Sequence, residues 1–263
     1  VVGNGGDDIL YGDDDNDLVY GGEGRDTVYG GDGVDTLYGD PGNNVLYGGE
    51  DKDLLYGGND ADTIYGENHD DTLYGNGGND DLFGGNGADN LDGGDGNDDL
   101  DSGEGNDSLF GGAGDDRLFS SNGNDTVDGG AGTDTYSIDF SGGPVFMTYD
   151  TVTGNGTVIT GNKVDTLISI ERCNLFGTED NDFILGGWGS DSLLFSTSEG
   201  LRGNGGDDTI NGNSGEDLLF GEDGNDFLIG GWGSDTLYGE DDNDRLIGVN
   251  PNAAVPGRNE QDN

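Results

Sequence analysis

The sequence predicts an all-β repeat solenoid, and three observations carry that prediction. A period of nine residues runs from Gly3 to Ser137 without a slip in register, giving 15 units end to end. The eighth place of each unit holds a large apolar residue, and the first is almost always glycine. Composition agrees: 58 of 263 residues are glycine and only 29% are apolar, which leaves material for a thin, repetitive core and not for a globular one.

The first block, residues 1 to 137, is built of units such as GGEGRDTVY (21 to 29), GGDGVDTLY (30 to 38) and GGNGADNLD (84 to 92). Its eighth positions read Leu10, Val19, Val28, Leu37, Leu46, Leu55, Ile64, Leu73, Leu82, Leu91, Leu100, Leu109, Leu118, Val127 and Tyr136. In a short strand the side chains alternate faces, so position eight points inward while seven and nine point outward. Stacked turns then form two internal aliphatic ladders. Position one is glycine except at Ser102 and Ser120, as expected where backbone turns tightly or takes a positive φ. Position four is looser: Asp15, Asp51, Asp60, His69, Asp180 and Asp242 replace glycine there, and Asp and His tolerate a left-handed conformation.

Charge narrows the function classes. Acidic residues number 57 against 8 basic ones, for a formal net charge of −49. On charge and hydropathy alone such a chain is expected to be disordered unless something cationic neutralises it on folding. Nucleic acid and other polyanions are excluded as partners, since this field repels them and the basic residues are scattered from Arg25 to Arg258. No apolar run approaches the roughly 18 residues of a membrane span. Cys173 is alone, so no internal disulfide supplies rigidity, and it reads as a small buried residue.

Position six carries the chemistry. It is aspartate in every unit but one, where Asn44 stands. A hard cation such as calcium takes six to eight oxygens, which carboxylates and glycine-turn carbonyls can supply. Stacking the turns places carboxylates about 5 Å apart, where like charges repel by roughly 3 kcal/mol at an effective dielectric of 20. A divalent ion turns that repulsion into attraction.

The pattern Gly-Gly-x-Gly-x-Asp-x-U-x, with U large and apolar, resembles the RTX, or hemolysin-type calcium-binding, nonapeptide repeat. With the second block counted, the resemblance covers 22 units and 198 of the 263 residues. It implies a right-handed parallel β-roll solenoid with two nonapeptide repeats per turn, six residues of each forming a calcium-binding loop and three a short strand. The implied metal ligands are Asp8, Asp17, Asp26, Asp35, Asn44, Asp53, Asp62, Asp71, Asp80, Asp89, Asp98, Asp107, Asp116, Asp125 and Asp134. In the second block they are Asp182, Asp191, Asp208, Asp217, Asp226, Asp235 and Asp244. In the family each ion lies between loops one turn apart, pairing Asp8 with Asp26, Asp17 with Asp35, and so on. The 15 units of the first block then allow 13 such pairs, and 13 divalent ions would supply +26 against −49. Asn44 loses a charge and shares its loop with Pro41, so the two sites it touches are expected to be the weakest.

Residues 138 to 176 lack the loop motif but alternate like strands, which predicts metal-free β-structure continuing or packing on the roll. Their end, VDTLISIERCNLFGTEDNDFILGG, looks like connectors found between RTX blocks and is expected to add rungs. The second block, 177 to 247, holds seven units interrupted by FSTSEGLR (195 to 202), read as a bulging loop. The polar stretch 248 to 263, with Pro251 and Pro256, reads as a tail.

Position nine carries Tyr11, Tyr20, Tyr29, Tyr38, Tyr47, Tyr56, Tyr65 and Tyr74, then Phe83, Phe110 and Phe119. Sorted by face these make two outward ladders, read either as cross-strand stacking that stabilises the sheet or as an exposed strip that marks a protein or glycan contact. His69 reads as a turn residue, because a lone histidine builds neither a triad nor a histidine metal cluster. The carboxylates recur identically in every unit, unlike a glycosidase pair, so no catalytic group is expected. Trp188 and Trp232, in third positions, read as surface packing. Some RTX rolls bind ice through loop-face Thr and Asn arrays, and no Thr occupies position three of the first block.

Extracellular calcium modules bind at about 10⁻⁴ to 10⁻³ M, so such a chain folds outside the cell and is exported; the resemblance implies type I secretion. The start at VVGNGGDD, without Met or a signal-like segment, suggests a mature, processed or excised chain. Two functions fit: an extracellular structural protein that assembles head to tail or laterally through its uncapped ends and Tyr ladders, or an accessory folding and secretion module of a larger toxin, hydrolase or adhesin.

Overall fold

The computed structural model describes residues 1–138, 145–150, 155–160, 163–168, 172–174, 183–185, 201–212, 217–231 and 233–248. The chain divides into two units, Val1–Ser137 and Ile138–Asn263.

The first unit is a parallel β-roll, as the repeat predicts. Its strands alternate between two sheets: Val2–Gly5, Leu18–Glu23, Thr36–Tyr38 and their successors form one, and Ile9–Asp14, Thr27–Asp32, Val45–Glu50 and theirs form the other. Neighbours in each sheet pair in parallel at an offset of 18 residues, as in Val28↔Leu46 and Leu46↔Ile64, so two repeats close one turn. Every position-eight side chain from Val19 to Tyr136 is buried, with at most 1% of its surface exposed, and Leu10 is half-buried. A few aliphatic groups per turn are the whole core, so each must be shielded by the turns above and below.

Most strands are six residues long where the resemblance implies three. In Thr27–Asp32 the ladder passes through the glycines, with Gly31↔Gly49 and Asp32↔Glu50 paired beyond Tyr29↔Tyr47. Loop positions two and three therefore belong to the sheets, and the turn proper is confined to positions four to six.

Positive φ recurs at positions two and four. Asp15, Asp51, His69 and Asp242 adopt it at position four, as expected of glycine substitutes, while Asp60 does not. Asp60 instead turns its carboxylate to accept the N–H of Gly42 at 2.9 Å. Position one differs from the expectation. Gly21 has no positive φ; it is glycine because a Cβ would lie 2.6 Å from Asp26 Oδ2 and 2.6 Å from the Gly39 carbonyl. Close approach between turns, not backbone handedness, selects the residue there. Where Ser120 takes this place its hydroxyl bonds the buried Tyr136 hydroxyl at 2.8 Å.

On the outer faces the tyrosines stack. Tyr11, Tyr29, Tyr47, Tyr65 and Phe83 form one column and Tyr20, Tyr38, Tyr56 and Tyr74 another, with centroids 4.8 to 5.1 Å apart and planes within 10°. The spacing is that of the strands themselves.

In the second unit Val145–Asp150, Asn155–Thr160 and Lys163–Ile168 form an antiparallel meander. Val145–Asp150 also pairs in parallel with Phe183–Leu185, which continues through Thr209–Asn211, Phe227–Ile229 and Arg245–Ile247. Leu201–Gly205, Leu218–Asp223 and Thr236–Asp241 make a second parallel sheet. Ile210, Leu219, Leu228 and Leu237 repeat the buried position-eight ladder. Residues 195–200 of the insertion lie outside the described residues, but its end is no bulging loop: Leu201 and Arg202 open the strand Leu201–Gly205, with Leu201 buried and paired with Leu219, because they take the inward position-eight and outward position-nine places. The tail after Gly248 and Trp188 and Trp232 also lie outside the described residues.

Candidate metal centre

Position six is held from both sides. Its backbone N–H donates to the Oδ1 of the residue one turn ahead, so the side chains form continuous chains along the roll. One runs Asp8, Asp26, Asn44, Asp62, Asp80, Asp98, Asp116, Asp134, and the other Asp17, Asp35, Asp53, Asp71, Asp89, Asp107, Asp125. The N···O distances are 2.6 to 3.0 Å. Asp208, Asp226 and Asp244 continue the pattern in the second unit, as do Asp217 and Asp235. The turn-to-turn pairs expected from the repeat are thus brought together. Asp182 and Asp191 lie outside the described residues.

The second carboxylate oxygen is the anomaly. Oδ2 of Asp26, Asp35, Asp53, Asp62, Asp71, Asp80, Asp89, Asp98, Asp107, Asp116, Asp226 and Asp235 is buried and accepts no hydrogen bond. A buried, unsatisfied, charged oxygen is among the costliest features a fold can carry, and here it recurs turn after turn. Burial is the main cause of a raised carboxyl pKa along the row, against a smaller pull downward from the backbone N–H. It lifts Asp53, Asp62 and Asp80 to about 7, Asp71 to about 8, and Asp89, Asp98, Asp107, Asp116 and Asp226 to about 6.

Asn44 reveals what that oxygen faces. Its Oδ1 accepts the Asp26 N–H like any member of the row, while Nδ2 donates to the carbonyls of Asp40 and Gly42 at 3.1 and 2.8 Å. These are positions two and four of its own loop. The amide puts a donor at the place that Oδ2 takes elsewhere in the row: a Cβ on the position-one glycine would lie 2.6 Å from Asn44 Nδ2 at Gly39 and 2.6 Å from Asp26 Oδ2 at Gly21. There the buried carboxylate oxygen has no donor. That arrangement fits a cation. Among the described residues no three His, Cys, Asp or Glu side chains cluster as a metal site. Each loop supplies one carboxylate and otherwise carbonyls, an all-oxygen set that fits a hard ion of flexible coordination such as Ca²⁺.

His69 has φ 77°, and its Nδ1 accepts the Asp51 N–H at 3.1 Å, 3.9 Å from the Glu50 carboxylate. It serves the turn. Sequence reasoning missed a second ladder at position five, where Oδ1 of Asp7, Asn16, Asp70, Asn79, Asn97, Asn106, Asp115 and Asp207 accepts the N–H one turn ahead at 2.8 to 3.1 Å. The signal was available in the recurrence of Asp and Asn at that position, in the opposite hydrogen-bond direction to position six.

A sequence model of the RTX calcium-binding nonapeptide repeat matches residues 1–28, 29–64, 47–82, 65–100, 74–109, 101–136, 174–196, 202–237 and 228–248, well over half of the chain. No curated protein matches it.

Proposed function

Since the chain belongs to the RTX calcium-binding nonapeptide repeat family, we propose that it is an extracellular structural protein that calcium folds, and that it assembles into a surface layer, fibril or matrix. One observation carries the reading: the row of buried Oδ2 atoms with no hydrogen-bond donor, at the place where the single Asn44 repeat puts an amide that donates to two loop carbonyls. The position-six carboxylates, with backbone carbonyls of the glycine loops beside them, would hold calcium, which would supply the positive charge that offsets their burial. Because the site forms only when turns stack, binding energy becomes folding energy. Scarce cytosolic calcium leaves the chain open, and extracellular levels close it.

Assembly draws on the tyrosine columns, which are regular, flat and outward-facing. The test is to strip the full chain with EGTA, then restore millimolar calcium while recording far-UV circular dichroism and negative-stain images. The expected result is little β signal in EGTA, a cooperative gain with calcium, and filaments or sheets. A β signal that EGTA leaves intact contradicts calcium-driven folding. Folded monomers at every concentration contradict assembly and favour the accessory-module role.

A further inference from the structure

The position-nine column of one sheet is broken once. Tyr11, Tyr29, Tyr47, Tyr65 and Phe83 stack at 4.8 to 5.0 Å. The next rung, paired with Phe83, is Asp101, and the rung after that is Phe119. One ring is missing between two others. The result is an open cleft of about 270 Å³ lined by Asp81, Phe83, Asp99, Leu100, Asp101 and Phe119. Two strand spacings separate the phenylalanine rungs, roughly 9.6 Å, so a flat group on the missing rung stacks on both rings at the spacing the rest of the column uses.

The second unit shows which flat group a rung accepts in place of a ring. There position nine reads Arg202, Phe220, Tyr238 in register. Phe220 stacks on Tyr238 at 4.9 Å, and the Arg202 guanidinium carbon lies 4.0 Å from the Phe220 centroid. A guanidinium therefore completes an aromatic column in this same protein.

We propose that the Phe83–Asp101–Phe119 cleft is a binding site for a guanidinium group, the side-chain group of arginine, inserted between the two rings with Asp101 as its counter-ion. Three carboxylates border the cleft, and the one neighbouring cation, Arg117, is engaged by Asp99 at 3.2 Å. Asp81 and Asp101 leave the cleft negative. Planarity matters as much as charge: a guanidinium presents two faces for the two rings, and an ammonium presents none. The opposite sheet carries a poorer copy, Tyr74, Asp92, Phe110, flanked by Thr72 and Asn90 where this cleft has Asp81 and Asp99, and by Ser108 where it has Arg117.

The experiment uses the calcium-loaded full chain with ring-labelled phenylalanine, titrated with butylguanidinium or butylammonium in about 150 mM salt, where diffuse attraction is screened. Butylguanidinium is expected to shift the Phe83 and Phe119 ring resonances saturably and to bind at least about fivefold more tightly than butylammonium. Asp101→Asn should weaken it at least about fivefold, Phe119→Leu comparably, and Asp92→Asn by less than twofold, each with the circular dichroism of the parent. Equal binding of the two cations, equal loss in Asp101→Asn and Asp92→Asn, or no saturable shift overturns the proposal.

Discussion

At Asn44 one atom decides what a loop requires. Its Nδ2 reaches the Asp40 and Gly42 carbonyls, so this loop closes on itself where its neighbours present bare oxygens. Replacing it in Asn44→Asp should restore the carboxylate and add one bound calcium per chain, counted by equilibrium dialysis. The stripped variant should also be less stable than the stripped parent. An unchanged count would mean that the amide does not stand in for an ion. The same row predicts a different cost for Asp62→Ala. Asp62 Oδ1 is the acceptor for the buried Asn44 N–H at 2.6 Å, and removing it orphans that donor. In calcium-loaded thermal or urea unfolding the loss is expected to exceed the roughly 1 to 3 kcal/mol of that donor, because the same carboxylate is a proposed calcium ligand. Neither effect was legible from the sequence, where Asn44 appears simply as a ligand short of one charge. The direction of its amide depends on loop carbonyls that only the folded turn brings within reach.

The strand-and-loop element was readable because it repeats. An apolar residue every nine places fixed the buried face, and the acid that recurs at position six everywhere but Asn44 fixed the row of candidate ligands. The position-six pairs and the ring columns were expected at a spacing of 18 residues; what escaped at that spacing was the reason for glycine at position one, the position-five ladder, and the pairing that carries strands through positions two and three. These are contacts between turns, and no single unit contains them. The element also predicts a pH response. In the unfolded chain the aspartates titrate near 3.8, while in the metal-free roll burial holds Asp53, Asp62, Asp71 and Asp80 at about 7 to 8. The folded state then binds protons more tightly than the unfolded one. Stability of the metal-free roll should rise as pH falls from about 8 through 6, and be fully present below about 4. Circular dichroism in EGTA at pH 8, 6 and 4.5 should show increasing β signal; a flat or falling signal would mean that the buried carboxylates are not what holds the stripped chain open. With calcium present the sign reverses for affinity, since protons compete for the same oxygens and weaken binding over the same range.

For the whole molecule, the charge of −49 and the thin core are two sides of one design. A core of one aliphatic side chain per nine residues leaves the turns weakly held, and the acidic loops oppose their stacking. A cation held at the loops would relieve both. The columns of tyrosine add flat outer faces at strand spacing, and the interruption of one column at Asp101 gives that face a cleft of its own. The central claim is that calcium sits at the unsatisfied Oδ2 atoms. It is tested most directly by an anomalous difference map from crystals of the calcium-loaded chain, recorded at long wavelength. The account predicts peaks in rows along both edges of the first roll, each within coordination distance of a position-six Oδ2 and of position-two and position-four carbonyls, with a break beside Asn44. Peaks confined to the exposed carboxylates of positions three and five, or none beside the buried Oδ2 atoms, would contradict it.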